Sequence, residues 1–206
     1  MKANHILKVT EKHHTTADLN SNTAGEQTNP ATVHVAADAA SLPTVAVQIE
    51  KMAERQRQIT ATIQIPHPVE KIWQVLTDYE SLTDFIPNLS KSRLLEHPQG
   101  GIRLEQIGSG RLLNFNFCAR VVLDLEECFP KEIKFRMIEG DFKGFSGSWC
   151  LQPYTLGDLT GTHLCYQIQI WPKLTMPLKM IEPRLINDMQ SNLLAIHQRV
   201  LYLCST

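Results

Sequence analysis

The spacing of apolar residues changes along this chain, and each change marks a new element. Val45, Val47 and Ile49 alternate with other residues, and after Met52–Arg55 the run Ile59, Ala61, Ile63 and Ile65 alternates again. A period of two puts one side of an extended chain in the core, so this region predicts one long strand or a hairpin. Pro66-His67-Pro68 ends it, and the fixed φ of Pro68 suits a first helical position. Val69, Ile72, Trp73 and Leu76 then recur at i, i+3, i+4 and i+7, which predicts an amphipathic helix over 68–79. Leu82, Phe85, Ile86 and Leu89 repeat that spacing. Ser81 with Asp84 supplies a capping pair and Pro87 a stop, so a second brief helix is expected.

Beyond residue 100 the period is two almost throughout. Residues 101–107 alternate weakly. Leu113, Phe115, Phe117, Ala119, Val121, Leu123 and Leu125 then form an odd-numbered apolar row opposite Asn114, Asn116, Arg120, Asp124 and Glu126. One face of that strand is buried and the other wet, as in antiparallel sheets. Ile133, Phe135 and Met137 make a further strand after a turn at Phe129-Pro130. Phe145, Gly147, Trp149 and Leu151 make another, and Leu164, Tyr166, Ile168 and Ile170 the last. A long helix opening on Pro183 closes the chain, with Leu185, Met189, Leu193, Ile196 and Val200 down one side and Ile186 and Leu194 widening the stripe. The expected class is α+β: a strongly curved antiparallel sheet with two short helices and the long C-terminal helix across its concave face. Such a pair does not close easily without a gap, and Phe115, Phe117, Phe135, Trp149 and Tyr166 all fall on the inward rows.

The first 43 residues differ. They are rich in Thr, Ala, Asn and His, and the first aromatic residue is Trp73. So little apolar surface does not offset the entropy of ordering, so residues 1–43 are expected to be a disordered tail before a domain at 44–206. His13-His14 in the tail offers at most adventitious metal binding.

Charge and motifs remove several function classes. The net charge is −1 and Lys and Arg are scattered, which gives no footprint for nucleic acid. The five cysteines form no CxxC pair and are odd in number, against both a zinc site and a secreted disulfide framework, although Cys150 facing Cys165 across two strands stays open. Gly100-Gly101 and Gly108-Ser109-Gly110 read as turns, since no helix follows to complete a phosphate cradle. Ser146 lacks a nucleophile elbow. Asp78, Glu80 and Asp84 sit where acids solvate and cap helix ends, and Glu139-Gly140-Asp141 reads as a turn. His163 and His197 fall on polar phases and are expected to face solvent. No metal, cofactor or catalytic set is predicted. Tyr166 is the nearest candidate acid, its hydroxyl in phase with the inward row, with Gln106 and Tyr79 as other polar candidates. No stretch reaches the ~18 apolar residues of a membrane span, and the N-terminus lacks a secretory apolar segment, so a soluble cytoplasmic protein is expected.

Four stretches carry a family resemblance: KIWQVLTDYESLTDFIPNLSKSRLLE, GGIRLEQIGSGRLL, FPKEIKFRMIEGDFKGFSGSW and NLLAIHQRV. They resemble the SRPBCC, or START-like, helix-grip superfamily, and within it the cyclase/dehydrase-type proteins of cyanobacteria and plastids akin to the coenzyme-Q-binding START-domain family. The resemblance covers residues 46 to 203. It implies a hydrophobic cavity between helix and sheet that holds a lipid, an isoprenoid quinone or a polyketide-like molecule. The cavity mouth would fall at Tyr79, Phe85, Ile86, Pro87 and the Gly140-Asp141-Phe142 turn. The expected lining is Trp73, Leu76, Tyr79, Phe85, Ile86, Phe115, Phe117, Phe135, Met137, Phe142, Trp149, Tyr166, Leu185 and Met189. Superfamily members include aromatase/cyclases, carriers and stress- or ribosome-associated proteins, and fold alone does not choose among them. The expected function is non-enzymatic binding or transport of a hydrophobic small molecule. The alternatives are a polyketide cyclase/dehydratase using Tyr166, or a protein-interaction module. Residues 171–181, with Leu174, Met176, Leu178, Met180 and Ile181 beside Lys173 and Lys179, read either as the strand-to-helix connection or as a transient membrane-surface contact. The sequence specifies no oligomeric state.

Overall fold

The structure is a computed structural model that describes residues 43–112, 115–157 and 159–205. The side chains of residues 110–117 and of Leu156 lie outside the described set, as do residues 1–42, where the tail was expected. In chain order the elements are β1 (Ala46–Lys51), β2 (Arg57–Ile65), α1 (Val69–Thr77), a 3-10 turn (Ser81–Asp84), β3 (Leu89–Leu95), β4 (Ile102–Leu112), β5 (Phe115–Cys128), β6 (Glu132–Gly140), β7 (Gly144–Leu156), β8 (Leu159–Trp171) and α2 (Leu178–Ser205). The strands form one open, curved sheet in the order β1-β2-β8-β7-β6-β5-β4-β3, every neighbouring pair antiparallel. This is the expected α+β helix-grip architecture.

The odd-even alternation becomes a buried layer through the register. Ala61 stands opposite Tyr166, Tyr166 opposite Trp149, and Trp149 opposite Ile133, so one inward row crosses four strands. The α2 residues Met189, Leu193, Ile196 and Val200 share a single core cluster with these strands and with α1. Two features bend the sheet around the helix. A register shift between β5 and β6 sets Leu123 against Met137 but Val122 against Glu139, leaving Ile138 as an extra residue, 42% exposed. Such a bulge increases local bend and twist. At Gly147 the backbones of β7 and β8 come so close that a Cβ would lie 2.1 Å from the Gln167 carbonyl oxygen and 2.6 Å from the Phe135 ring.

Several boundaries differ from the sequence reading. Pro68 precedes α1 instead of opening it. The second helix is only one 3-10 turn, and no side-chain cap forms at its start. Ile86 N–H donates to Leu82 O at 2.9 Å, after which Pro87 prevents a further turn and Asn88 turns the chain with φ 62°. Leu89 therefore starts β3, a strand the hydrophobic pattern did not announce, because Ser90, Lys91, Ser92 and Arg93 interrupt any alternation. Residues of this kind belong on a sheet edge, which β3 is. The last helix starts five residues before Pro183, which lies inside it. Pro177 O accepts from Met180 N at 3.1 Å and Ile181 N at 3.2 Å, and buried Ile181 anchors that first turn to the core. The helix therefore tolerates the donor missing at Pro183.

An ion cluster lies on the convex face. Glu105 is buried under three cations: Lys91 Nζ at 2.7 Å, Arg93 Nη2 at 2.9 Å and Arg120 Nε at 2.7 Å. The hydrogen bonds from Lys91 and then Arg120 hold its carboxyl at about 2, against the opposing push of burial. A carboxylate depressed in the folded state contributes stability that is complete above its unfolded value near 4.5 and is lost as pH falls toward about 2. Urea midpoints should therefore fall more steeply between those values in the wild type than in Glu105→Gln. Parallel pH profiles for the two proteins would show that the cluster has no such role.

Candidate functional site

Between the concave sheet and α2 lies a cavity of about 230 Å³. At ~30 Å³ per water that is room for roughly eight waters, or a little more than the ~150 Å³ void that holds benzene in an engineered core. Leu104 from β4, Val121, Leu123 and Leu125 from β5, and Ile133 and Phe135 from β6 form one wall. Phe142, Phe145, Trp149 and Tyr166 form the next, and Leu185 and Ile196 of α2 the roof. Leu76 and Tyr79 close one side, and Leu82, Ile86 and Pro87 form the lip.

The rings pack on one another rather than across the space. Trp149 and Tyr166 stack with centroids 3.7 Å apart and planes 2° apart. Phe135 stacks on Phe145 at 5.6 Å, and Phe145 on Phe142 at 5.9 Å. Held flat against their neighbours, they line the void without filling it. Trp149 and Tyr166 are only half-buried although both sit on inward rows of inner strands, because their free surface is cavity wall.

Of the expected lining, Leu76, Tyr79, Ile86, Phe135, Phe142, Trp149, Tyr166 and Leu185 surround the cavity. Four others do not. Trp73 is buried with its ring edge-on to Phe129 at 5.2 Å. Phe85 packs beneath the Arg199 guanidinium at 5.4 Å. Met137 packs against the core cluster beside the bulge, and Met189 lies on the fully buried stripe of α2. The side chains of Phe115 and Phe117 lie outside the described residues. Periodicity identifies the inward face but not which inward residue meets a void.

The sequence reading missed the polar edge of the cavity. Arg184, Asp188 and Asn192 follow each other at intervals of four on α2, so they share one stripe, and all three line the cavity. Arg184 Nε donates to Asp188 Oδ1 at 3.0 Å and Oδ2 at 2.8 Å. Asn88 Nδ2 donates to Asp188 Oδ1 at 3.2 Å, and Arg184 Nη2 to Ser109 O at 3.4 Å. Ser109 N–H in turn donates to Asn88 O at 2.7 Å. Lip, β4 and α2 are thereby tied together. Burial raises the Asp188 carboxyl, opposed by the Arg184 hydrogen bonds and charge. Asn192 Oδ1 is buried without a partner among the described residues. The four-residue spacing was visible in the chain, but polar positions on an apolar helix normally face water.

The two tyrosines play different parts. Tyr79 contributes its ring to the cavity, but its hydroxyl donates to Glu127 Oε1 at 2.6 Å. Burial, then that bond, pushes the hydroxyl far above its ordinary range, so Tyr79 offers no polar contact to a guest. Gln106 is similarly engaged, donating to Ser92 Oγ at 3.3 Å. The Tyr166 hydroxyl has no hydrogen-bond partner among the described residues and is not sealed off from accessible space. Burial and then the nearby Asp188 charge push it well up, so it keeps its proton at neutral pH.

His197, expected at the surface, is buried beside Ala195 and Ile196 because the covered stripe of α2 is wider than its apolar residues indicate. Burial and then His67 lower its imidazole. His163 is exposed, its ring 4.7 Å from Tyr154. Asp78, Glu80 and Asp84 are exposed. Among the described residues no three His, Cys, Asp or Glu side chains gather to hold a metal. Cys150 and Cys165 stand directly opposite each other as free thiols. Residues 172–177 connect β8 to α2, with Pro172 buried and Arg55 holding the carbonyls of Lys173 and Met176 at 2.9 and 2.7 Å. Trp171 and Leu174 remain 41% and 74% exposed. No described helix is long and apolar enough to cross a membrane.

Comparison with known proteins agrees with this geometry. The fold is similar to the Zhui aromatase/cyclase of Streptomyces sp. R1128, with a TM-score of 0.57 and 20% identity over 70% of this chain and 93% of that one. It is similar to a START superfamily protein of Mycobacterium smegmatis, with a TM-score of 0.58 and 16% identity over 71% and 98%. A STAR-related lipid transfer protein of Xanthomonas axonopodis gives 0.54 and 16% over 75% and 98%. In sequence, the ribosome association toxin RatA of Escherichia coli K12 is 27% identical over 96 residues, 47% of this chain and 58% of that protein. The matched part thus spans well under two thirds of that relative. The family model for polyketide cyclase/dehydrase and lipid transport matches residues 65–194, which run from the end of β2 through the lip and strands β3 to β8 into the roof helix. By that match this chain belongs to the polyketide cyclase/dehydrase and lipid transport family.

Proposed function

We propose that this protein binds a hydrophobic small molecule in the cavity and holds it without chemical change. The observation that carries this reading is the largely apolar cavity of about 230 Å³, walled by rings that stack beside it. Burying ~200 Å² of apolar ligand surface there would contribute about 5 kcal/mol before the cost of association. The void suits one or two fused rings, such as the head of an isoprenoid quinone or part of a polyketide-like molecule, better than a whole lipid chain. Menadione is a suitable probe. It should change tryptophan fluorescence saturably, since Trp149 lines the cavity, and Trp149→Ala should weaken its binding about tenfold while the fold survives. An unsaturable, linear response in the wild type would end the proposal.

A cyclase or dehydratase is the second reading, favoured by the Tyr166 hydroxyl that opens on the cavity. A phenol raised by burial is better suited to donate a hydrogen bond than to give up its proton. Turnover of a polyketide substrate that Tyr166→Phe abolishes would establish the enzyme instead. We also propose that Trp171 and Leu174, beside Lys143 and Lys173, touch an anionic membrane surface during loading. Failure to co-sediment with phosphatidylglycerol vesicles at low salt would dismiss that contact.

A further inference from the structure

We infer that the cavity selects neutral ligands carrying a carbonyl oxygen and rejects carboxylates, through the Tyr166 hydroxyl and the Arg184–Asp188 pair at its polar edge. The inference rests on the cavity being a ligand site and adds the chemistry of the ligand. The charges at that edge are already balanced. Both Asp188 oxygens accept from Arg184 Nε, and one also accepts from Asn88. The two side chains are 18% and 29% exposed, so each is largely withdrawn from water. An arriving carboxylate would have to draw Arg184 away and leave Asp188 facing a second anion with its cation gone. Removing one partner from a desolvated pair is among the costlier changes in a protein.

A neutral ligand meets no such penalty. The Tyr166 hydroxyl opens on the same cavity, is without a hydrogen-bond partner among the described residues, and keeps its proton. It is a donor awaiting an acceptor. The ring stack on Trp149 fixes the plane of the Tyr166 ring, since the two planes lie within 2° of each other. A ring ketone or quinone oxygen satisfies it, and the apolar wall takes the rest of the molecule. Fatty acids, whose head is anionic at neutral pH, are excluded by the same geometry.

Three probes of one size separate the possibilities: naphthalene, 1-acetylnaphthalene and 1-naphthoate, titrated into the full chain at neutral pH. The wild type should bind 1-acetylnaphthalene about tenfold more tightly than naphthalene and still more tightly than 1-naphthoate. Tyr166→Phe should bring the acetyl-to-naphthalene ratio close to one. Asp188→Asn should reverse the charge preference, because it removes the carboxylate that balances the Arg184 charge, and raise 1-naphthoate affinity about tenfold. Equal wild-type affinity for 1-acetylnaphthalene and 1-naphthoate would overturn the selectivity while leaving the cavity as a ligand site. Saturation by none of the three would overturn both. If Asp188→Asn does not fold, the wild-type ratios and Tyr166→Phe still decide.

Discussion

Gly147→Ala is expected to destabilise the protein by about 3 kcal/mol or more, at the upper end of what overpacking costs. The added methyl would meet the Gln167 carbonyl oxygen at 2.1 Å, and a backbone atom in the β7–β8 ladder does not move aside as a side-chain tip does. On its other side it would meet the Phe135 ring at 2.6 Å. For a chain of this size that loss corresponds to a fall in Tm of about 6–12 °C. Gly144→Ala is the control. It lies on the same strand, its added methyl would come no nearer than 3.7 Å to Trp171, and it should change stability by less than about 0.5 kcal/mol. Equal thermal melts for the two variants would mean that the close approach at Gly147 does not exist in solution.

The second large effect concerns the void. Val121→Phe should weaken menadione binding on the order of a hundredfold, as the new ring occupies apolar surface that the guest would otherwise cover. The same change should leave stability equal or higher. In a solid core an added ring forces side chains off their rotamers and costs ~1–3 kcal/mol, whereas in a hollow one it recovers missing contacts. The sign of the stability change therefore reports the void independently of any ligand. Urea unfolding and menadione titration of one variant give both answers.

Much of this architecture was legible in the chain because the buried rows repeat. The odd-numbered row through Ala119, Val121, Leu123 and Leu125 was read as a strand, and α1 was placed within two residues at each end. What failed to show was of four kinds. β3 has no apolar alternation, because an edge strand of Lys91 and Arg93 is stabilised by its neighbour's backbone and by Glu105. The start of α2 was misplaced because Pro183 reads as a helix opening, whereas buried Ile181 draws the preceding turn into the helix. The polar edge of the cavity was missed because Arg184 and Asp188 balance each other's charge. A paired ion on an apolar helix is indistinguishable in sequence from two solvated residues. Periodicity likewise could not separate Trp149, which meets the void, from Trp73, which packs on Phe129.

The last of these has a simple physical origin. Strand and helix periods report which face is dry, and a dry face is compatible with either a filled or a hollow centre. The stacks of Trp149 on Tyr166, and of Phe145 on Phe135 and Phe142, hold the inward rings against one another. That orientation depends on contacts between strands, including the space Gly147 leaves for Phe135.

Methyl resonances provide the most direct view of where a guest resides. With menadione added to the isotopically labelled wild type, the methyls of Leu104, Val121, Ile133, Leu185 and Ile196 should shift together and saturate. Those of Ile49, Leu94 and Leu201, which are 40%, 47% and 38% exposed, should stay in place. Shifts confined to the outer methyls, or none at any concentration, would contradict a guest held in the interior.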